Sequence, residues 1–260
     1  MTFNRITHYI ACASFLTLLL APQWLPPPDI QIEYSLKGFT HDGLGRPILS
    51  ALVYALRFNL ITAGLTTVLV LFVSMGVVGG VLFMPIRIRT HFKHFLSYFL
   101  AFPSILLALG LSAILPRALA PLSLFLFLGA LPHYIRFMYV RAEEIVQLPY
   151  WEAALSLGSH PMRMIGSCLI PELMSWARFK IPVLFMELLL GGVTLSYLGI
   201  RPRGEALDLG ELAIHAKDYL LEAPHLTVGL VLTSWFGYFL LNKLSDFLRP
   251  DTQLITLPKE

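Results

Sequence analysis

Charge is scarce in this sequence. Of 260 residues, 13% are charged and 56% hydrophobic, and the mean hydropathy is +0.70. Globular proteins carry about 25% charged residues. A soluble domain of this size would lack the polar surface to coat so much apolar content, so its solvent is largely lipid. Cysteine is almost missing too. Cys12 lies in an apolar run and Cys168 in a polar-flanked loop, which leaves no disulfide framework and no cysteine metal site. The net charge of +3 is too small and too dispersed for a nucleic-acid surface. No phosphate loop is present: such a loop needs Gly-x-x-x-x-Gly-Lys before Ser or Thr, whereas Gly199 to Gly204 runs on into Glu205-Ala206. His91 and His94 stand three apart without further ligands, so no metal site is expected. Apart from Glu187, the apolar runs hold no pair of groups suited to catalysis, which argues against a membrane enzyme.

Long apolar runs fill the space. A bilayer core of about 30 Å takes roughly 20 residues of helix. Six segments meet that length: Ile6–Leu25, Ala51–Phe83, Phe95–Leu115, Leu119–Met138, Ile181–Ile200 and His225–Phe247. The second is long for one span, and its first turns, around Tyr54, Arg57 and Asn59, are expected to be amphipathic and interfacial. The first follows Arg5 as a signal peptide would, but Leu20-Ala21-Pro22-Gln23 makes a poor cleavage site, so a retained helix is expected. With the amino terminus inside, twelve Lys and Arg fall on the cytoplasmic side and six outside, with Arg57 at the interface. Cytoplasmic loops carry the excess of Lys and Arg, which places both termini in the cytoplasm.

The resulting organisation is an amino-terminal transmembrane helix (1–25), an extracytoplasmic loop (26–50), a core (51–248) and a cytoplasmic tail (249–260). The core carries a cytoplasmic loop (140–180) and an outer loop (201–224). Pro26-Pro27-Pro28 forces an extended exit from the membrane, and Asp42-Gly43-Leu44-Gly45-Arg46 is a turn-rich string. The cytoplasmic loop is the most informative. Pro149 suits the first turn of a helix and Gly158 its carboxyl-terminal cap. Between them Trp151, Ala154 and Leu155 share one face, with Glu152 and Ser156 beside it. A short amphipathic helix in a polar loop suits either a groove on a soluble partner or lipid headgroups. Pro161 opens a second short helix, and Pro171 is expected to break it.

These residues resemble the signature of binding-protein-dependent importers, an EAA triplet followed at fixed distances by glycine and proline. Here Glu152-Ala153-Ala154, Gly158 and Pro171 stand at those places. Three further strings, Asp42-Gly43-Leu44-Gly45-Arg46, Ala101-Phe102-Pro103-Ser104 and Ser196-Tyr197-Leu198-Gly199, resemble motifs of the second permease in dipeptide, oligopeptide and nickel importers. They occur in that family's order and spacing, and the likeness runs from about Gly38 to Pro250. The sequence departs from the family where Pro47 follows Gly45-Arg46 in place of aspartate, where Arg201 replaces glycine, and where the outer loop reads Asp208-Leu209-Gly210.

The resemblance implies an all-α membrane protein of about six transmembrane helices, the type I importer permease fold, in the bacterial inner membrane. It implies that the EAA helix couples to an ATP-hydrolysing subunit, with Trp151, Ala154 and Leu155 filling a groove and Ala153 and Gly158 intolerant of bulk or proline. Glu152 and Arg163 would position the helix. It further implies a second permease subunit, two ATP-binding subunits and an extracytoplasmic solute-binding protein. ATP and magnesium are expected on the ATPase partners, with no cofactor on this chain. Glu187, inside a span, is a candidate pathway group, since a charge in lipid faces a cavity or a partner. An ion-coupled transporter would show more intramembrane acids and paired interrupted halves; a permease for a metal chelate shares every feature named here. Gly76-x-x-x-Gly80 and Gly192-x-x-x-Ser196 are expected to be close helix-packing faces.

Overall fold

The computed structural model of the chain describes Leu25 and residues 47–115, 121–200, 207–218 and 224–248. The expected first helix, the Asp42–Arg46 string, Arg201 and the tail lie outside the described residues, apart from Leu25 itself. Every regular element among the described residues is helical: α1 Ile48–Leu82, α2 Ile86–Leu100, α3 Ser104–Ile114, α4 Leu122–Val146, α5 Pro149–Ser156, α6 Pro161–Met164, α7 Ile170–Tyr197, α8 Leu209–Asp218 and α9 Pro224–Leu248. A π-helical turn, Ile165–Leu169, joins α6 to α7. Three helical runs are long and apolar enough to cross a membrane, namely α1, α4 and the 37 residues from Pro161 to Tyr197; the bent pair α2–α3 makes up to four. This is an all-α membrane protein.

The chain divides into two compact units. One draws on Met1–Leu60, Arg178–Met186 and Ala206–Glu260, the other on Ile61–Ala177 and Glu187–Glu205. In the first unit, α1 begins at Ile48, and its opening turns carry half-buried Tyr54 and Arg57 beside fully packed polar residues. Ser50 and Asn59 are buried there. The Asn59 side chain is engaged: its Oδ1 accepts the Leu209 backbone N–H at 3.1 Å. Asp208, fully buried, accepts the Glu211 N–H at 2.9 Å and so caps the start of α8. The stretch expected as the outer loop therefore contains a helix, and its divergent Asp208-Leu209-Gly210 is the capping sequence. Exposed, such a cap is worth about 1 kcal/mol; buried, its loss would also orphan a polar group.

In the second unit the expected span Phe95–Leu115 is two helices at 90°. Pro103 cannot donate a backbone hydrogen bond and biases its predecessor away from helix. The chain accordingly turns where the Phe102 N–H bonds the Phe99 carbonyl at 3.1 Å. Pro103, extended at φ −55 and ψ 143, then starts α3 afresh. α4 carries Pro132 in its interior and still runs on to Val146, about two turns past the expected end at Met138. Where α3 meets α4, a Cβ added to Gly129 would lie 2.6 Å from the Ser104 carbonyl oxygen and 2.9 Å from the Ala108 Cβ. Only glycine permits that approach. Gly192 likewise faces Leu126 at 3.3 Å, with Ser196 buried a turn further on, as a packing face requires. Gly76 and Gly80 behave differently from expectation: a Cβ on either would meet nothing within 4 Å among the described residues.

Pro171 does not break the chain's helix. It occupies the first turn of α7, where a missing N–H is tolerated, directly after the π turn. Widening one turn is a known way for a helix to absorb such a defect. The short helix expected to end at Pro171 is thus continuous with the span beyond it.

Candidate functional site

The loop between α4 and α7 is built by local rules. Leu148 is extended at φ −71 and ψ 143, Pro149 takes the first helical position, and the Trp151 N–H bonds the Leu148 carbonyl at 2.9 Å. At the far end Gly158 adopts φ +84. Its N–H reaches the Leu155 carbonyl at 3.0 Å, and the Ser159 N–H reaches that of Ala154 at 3.0 Å. That pair of bonds is the Schellman closure, which satisfies the last carbonyls of the helix. The same closure recurs at the end of α7. There Gly199, at φ +77, bonds the Ser196 carbonyl, and the Ile200 N–H bonds that of Leu195. Leu198-Gly199 is therefore the counterpart of Leu157-Gly158.

The expected apolar face of α5 is split by the fold. Trp151 is 6% exposed and buried within its own chain, so it anchors the helix and presents nothing outward. Ala154 is half-buried, while Glu152, Ala153 and Leu155 are exposed. Two residues that sequence periodicity missed are more prominent. Leu157, 87% exposed, and Met162, 62% exposed, stand at the glycine corner, beyond the helical repeat that would have marked them. Arg163 is exposed on α6, and the His160 ring nitrogen accepts the Met162 N–H at 3.3 Å to cap that turn.

Polar contacts tie the loop to the helices on either side. Arg141 bonds Glu144 at 2.8 Å and Glu172 at 3.5 Å, and the Tyr150 hydroxyl donates to Glu172 at 3.3 Å. Partial desolvation, then the Glu172 carboxylate, hold the Tyr150 hydroxyl above its ordinary range, so it stays a donor. Lys93 of α2 pairs with Glu143 near the end of α4. Pro171 lies outside this network, at the start of α7.

Glu187 belongs to a second cluster. Its carboxylate accepts the Ser104 hydroxyl at 2.7 Å and the Tyr134 hydroxyl at 3.5 Å. Ser104 is the first residue of α3, so the bend after Phe102 brings the Ala101–Ser104 motif to this carboxylate. Among the described residues no group of three or more His, Cys, Asp or Glu side chains is placed to hold a metal ion.

The described residues thus form a helical membrane protein with a short helix tied between two long spans. The chain belongs to the family described as binding-protein-dependent transport system inner membrane component, whose model matches residues 72–252. It is similar to the di/tripeptide transport system permease protein DppC of Pseudomonas aeruginosa strain UCBPP-PA14, 27% identical over 89% of this chain and 75% of the relative. It is also similar to the glutathione transport system permease protein GsiD of Pectobacterium atrosepticum, 24% identical over 95% of this chain and 87% of the relative. The dipeptide transport system permease protein DppC of Haemophilus influenzae is 26% identical over 80% of this chain and 70% of its own length.

Proposed function

We propose that this chain is one of two permease subunits of an ATP-driven peptide importer, and that α5 transmits the ATPase stroke to the spans. The observation that carries the reading is the construction of α5: rigidly closed at Gly158, anchored inward by Trp151, and exposing Glu152, Leu155 and Leu157. Peptides are the substrate class because relatives over most of the chain are named as di/tripeptide, dipeptide and glutathione permeases. The partners are a second permease, two ATP-binding subunits carrying ATP and magnesium, and an extracytoplasmic binding protein. Both termini and the α5 loop are cytoplasmic.

Movement of α5 reaches the spans through two struts, the Tyr150–Glu172 hydrogen bond and the continuous helix from Pro161. Leu155 and Leu157 insert into the partner groove, while Glu152 and Arg163 set the angle of insertion. Glu187 lines the translocation path, since an exposed carboxylate in a span needs water or a counter-charge. The test is affinity purification of the tagged chain in mild detergent, followed by ATP-driven uptake in vesicles. Recovery of a second permease and ATPases, with the ATPases lost in a Leu155→Glu, Leu157→Glu variant, is the expected result. A chain that transports alone under an ion gradient overturns it. Glu187→Gln is expected to leave assembly intact and reduce uptake; unchanged uptake removes Glu187 from the path.

A further inference from the structure

α2 is too short to cross a membrane alone. Its 15 residues extend about 22 Å at 1.5 Å each, against a core of about 30 Å. It lies at 90° to α3 and presents three distinct sides. The first faces the protein: Leu96 is buried, Phe92 packs on Tyr139 with ring centres 6.2 Å apart, and Lys93 pairs with Glu143. The second is apolar and exposed, with Ile88 at 49% and Phe95 at 55%, the latter edge-on to Phe99 at 5.0 Å. The third is a narrow strip at i, i+4, i+7 and i+11: Arg87, His91, His94 and Tyr98, all exposed. The His91 Nδ1 donates to the Arg87 carbonyl at 2.7 Å, which turns the ring along the strip. From Phe83 to Leu100 the sequence contains no acidic residue.

We propose that α2 lies in the headgroup layer and binds anionic phospholipid through Arg87, His91 and His94, with Ile88 and Phe95 in the acyl region. An apolar side next to a basic side is the pattern of helices that lie in the interfacial plane. Basic residues there are attracted to anionic lipid; α2 itself carries no acid, and Glu143, which faces it from α4, is paired with Lys93 on the protein-facing side. The flanking helices supply the geometry, since α1 ends just before α2 and α3 leaves it at a right angle. Through Lys93 and Glu143, a lipid held here bears on the last turns of α4, from which α5 hangs.

The experiment uses the full chain, with Cys12→Ser and Cys168→Ser removing the native thiols, reconstituted in phosphatidylcholine vesicles with and without phosphatidylglycerol. A fluorophore on Phe95→Cys is expected to be quenched by shallow spin-labelled lipid, and one on Tyr98→Cys by aqueous iodide. Phosphatidylglycerol is expected to co-purify in preference to phosphatidylcholine. The Arg87→Gln, His91→Gln, His94→Gln variant should lose that preference several-fold, at roughly fivefold per full cationic charge, while Arg87→Lys retains it. Size-exclusion chromatography selects folded variants for the comparison. Quenching of both positions by iodide alone would mean that α2 stands in water as a protein-docking surface. Quenching at Phe95→Cys only by deep labels would mean that α2 crosses the bilayer. An unchanged lipid preference in the triple variant would remove the strip from the binding site. Any of these overturns the proposal.

Discussion

Gly158 and Gly129 are both indispensable glycines, for opposite reasons. At the end of α5 the space is open: a Cβ on Gly158 would meet nothing within 4 Å, yet the backbone stands at φ +84. At the α3–α4 crossing the backbone is ordinary helix, yet a Cβ on Gly129 would strike the Ser104 carbonyl. One position is held by conformation and the other by volume. A change at Gly158 therefore strains the backbone locally, whereas one at Gly129 pushes two helices apart.

The largest effect is expected from Gly129→Leu, which forces α3 and α4 apart. Overpacking of this kind costs about 1–3 kcal/mol or more, and thermal denaturation of the detergent-solubilised chain should show a lowered midpoint or no folded protein. Gly158→Pro should come next, and it should act on function. It removes the N–H that bonds Leu155 and forbids positive φ, so ATPase activity in the assembled importer should persist while uptake collapses. Gly158→Ala is the sharper probe of what φ alone contributes. It should cost about 1–2 kcal/mol, read as a lowered melting midpoint, and Gly158→Asn should recover part of it because asparagine visits the left-handed region more readily. Equal losses for alanine and asparagine would show that space, and not φ, matters at Gly158. The smallest effect is expected from Glu172→Gln, whose contacts are solvent-screened. Pairs of that type are worth about 0–1 kcal/mol, and the change should shrink further as salt is raised in the same assay.

The sequence was most legible where structure follows from neighbours along the chain. Pro149 and Gly158 bound α5 because a proline start and a glycine stop act locally, and the EAA helix could be read almost to its ends. The inward turn of Trp151 was not legible, since one amphipathic face looks the same whichever partner covers it. Pro171 misled because its rule as a helix breaker assumes an α-helical turn ahead of it, and here that turn is π. Helix α8 was hidden because it is held at its start by Asn59, 150 positions away. Within the span Phe95–Leu115, Ala101-Phe102-Pro103 marks a helix irregularity in the sequence, but it does not show that the chain turns there by 90°. Glu187 stood out as a lone acid in an apolar run, but its hydroxyl partners, Ser104 and Tyr134, carried no such mark.

The π turn at Ile165–Leu169 sets the phase of everything after it. A turn with one extra residue offsets the following helix by about 100° from the course that a plain α-helix would take. The azimuth of Glu187 is thus keyed to a defect about five turns away. Deleting a single residue there would keep the run helical and apolar while pointing the carboxylate away from Ser104 and Tyr134, a change that neither composition nor hydropathy would register.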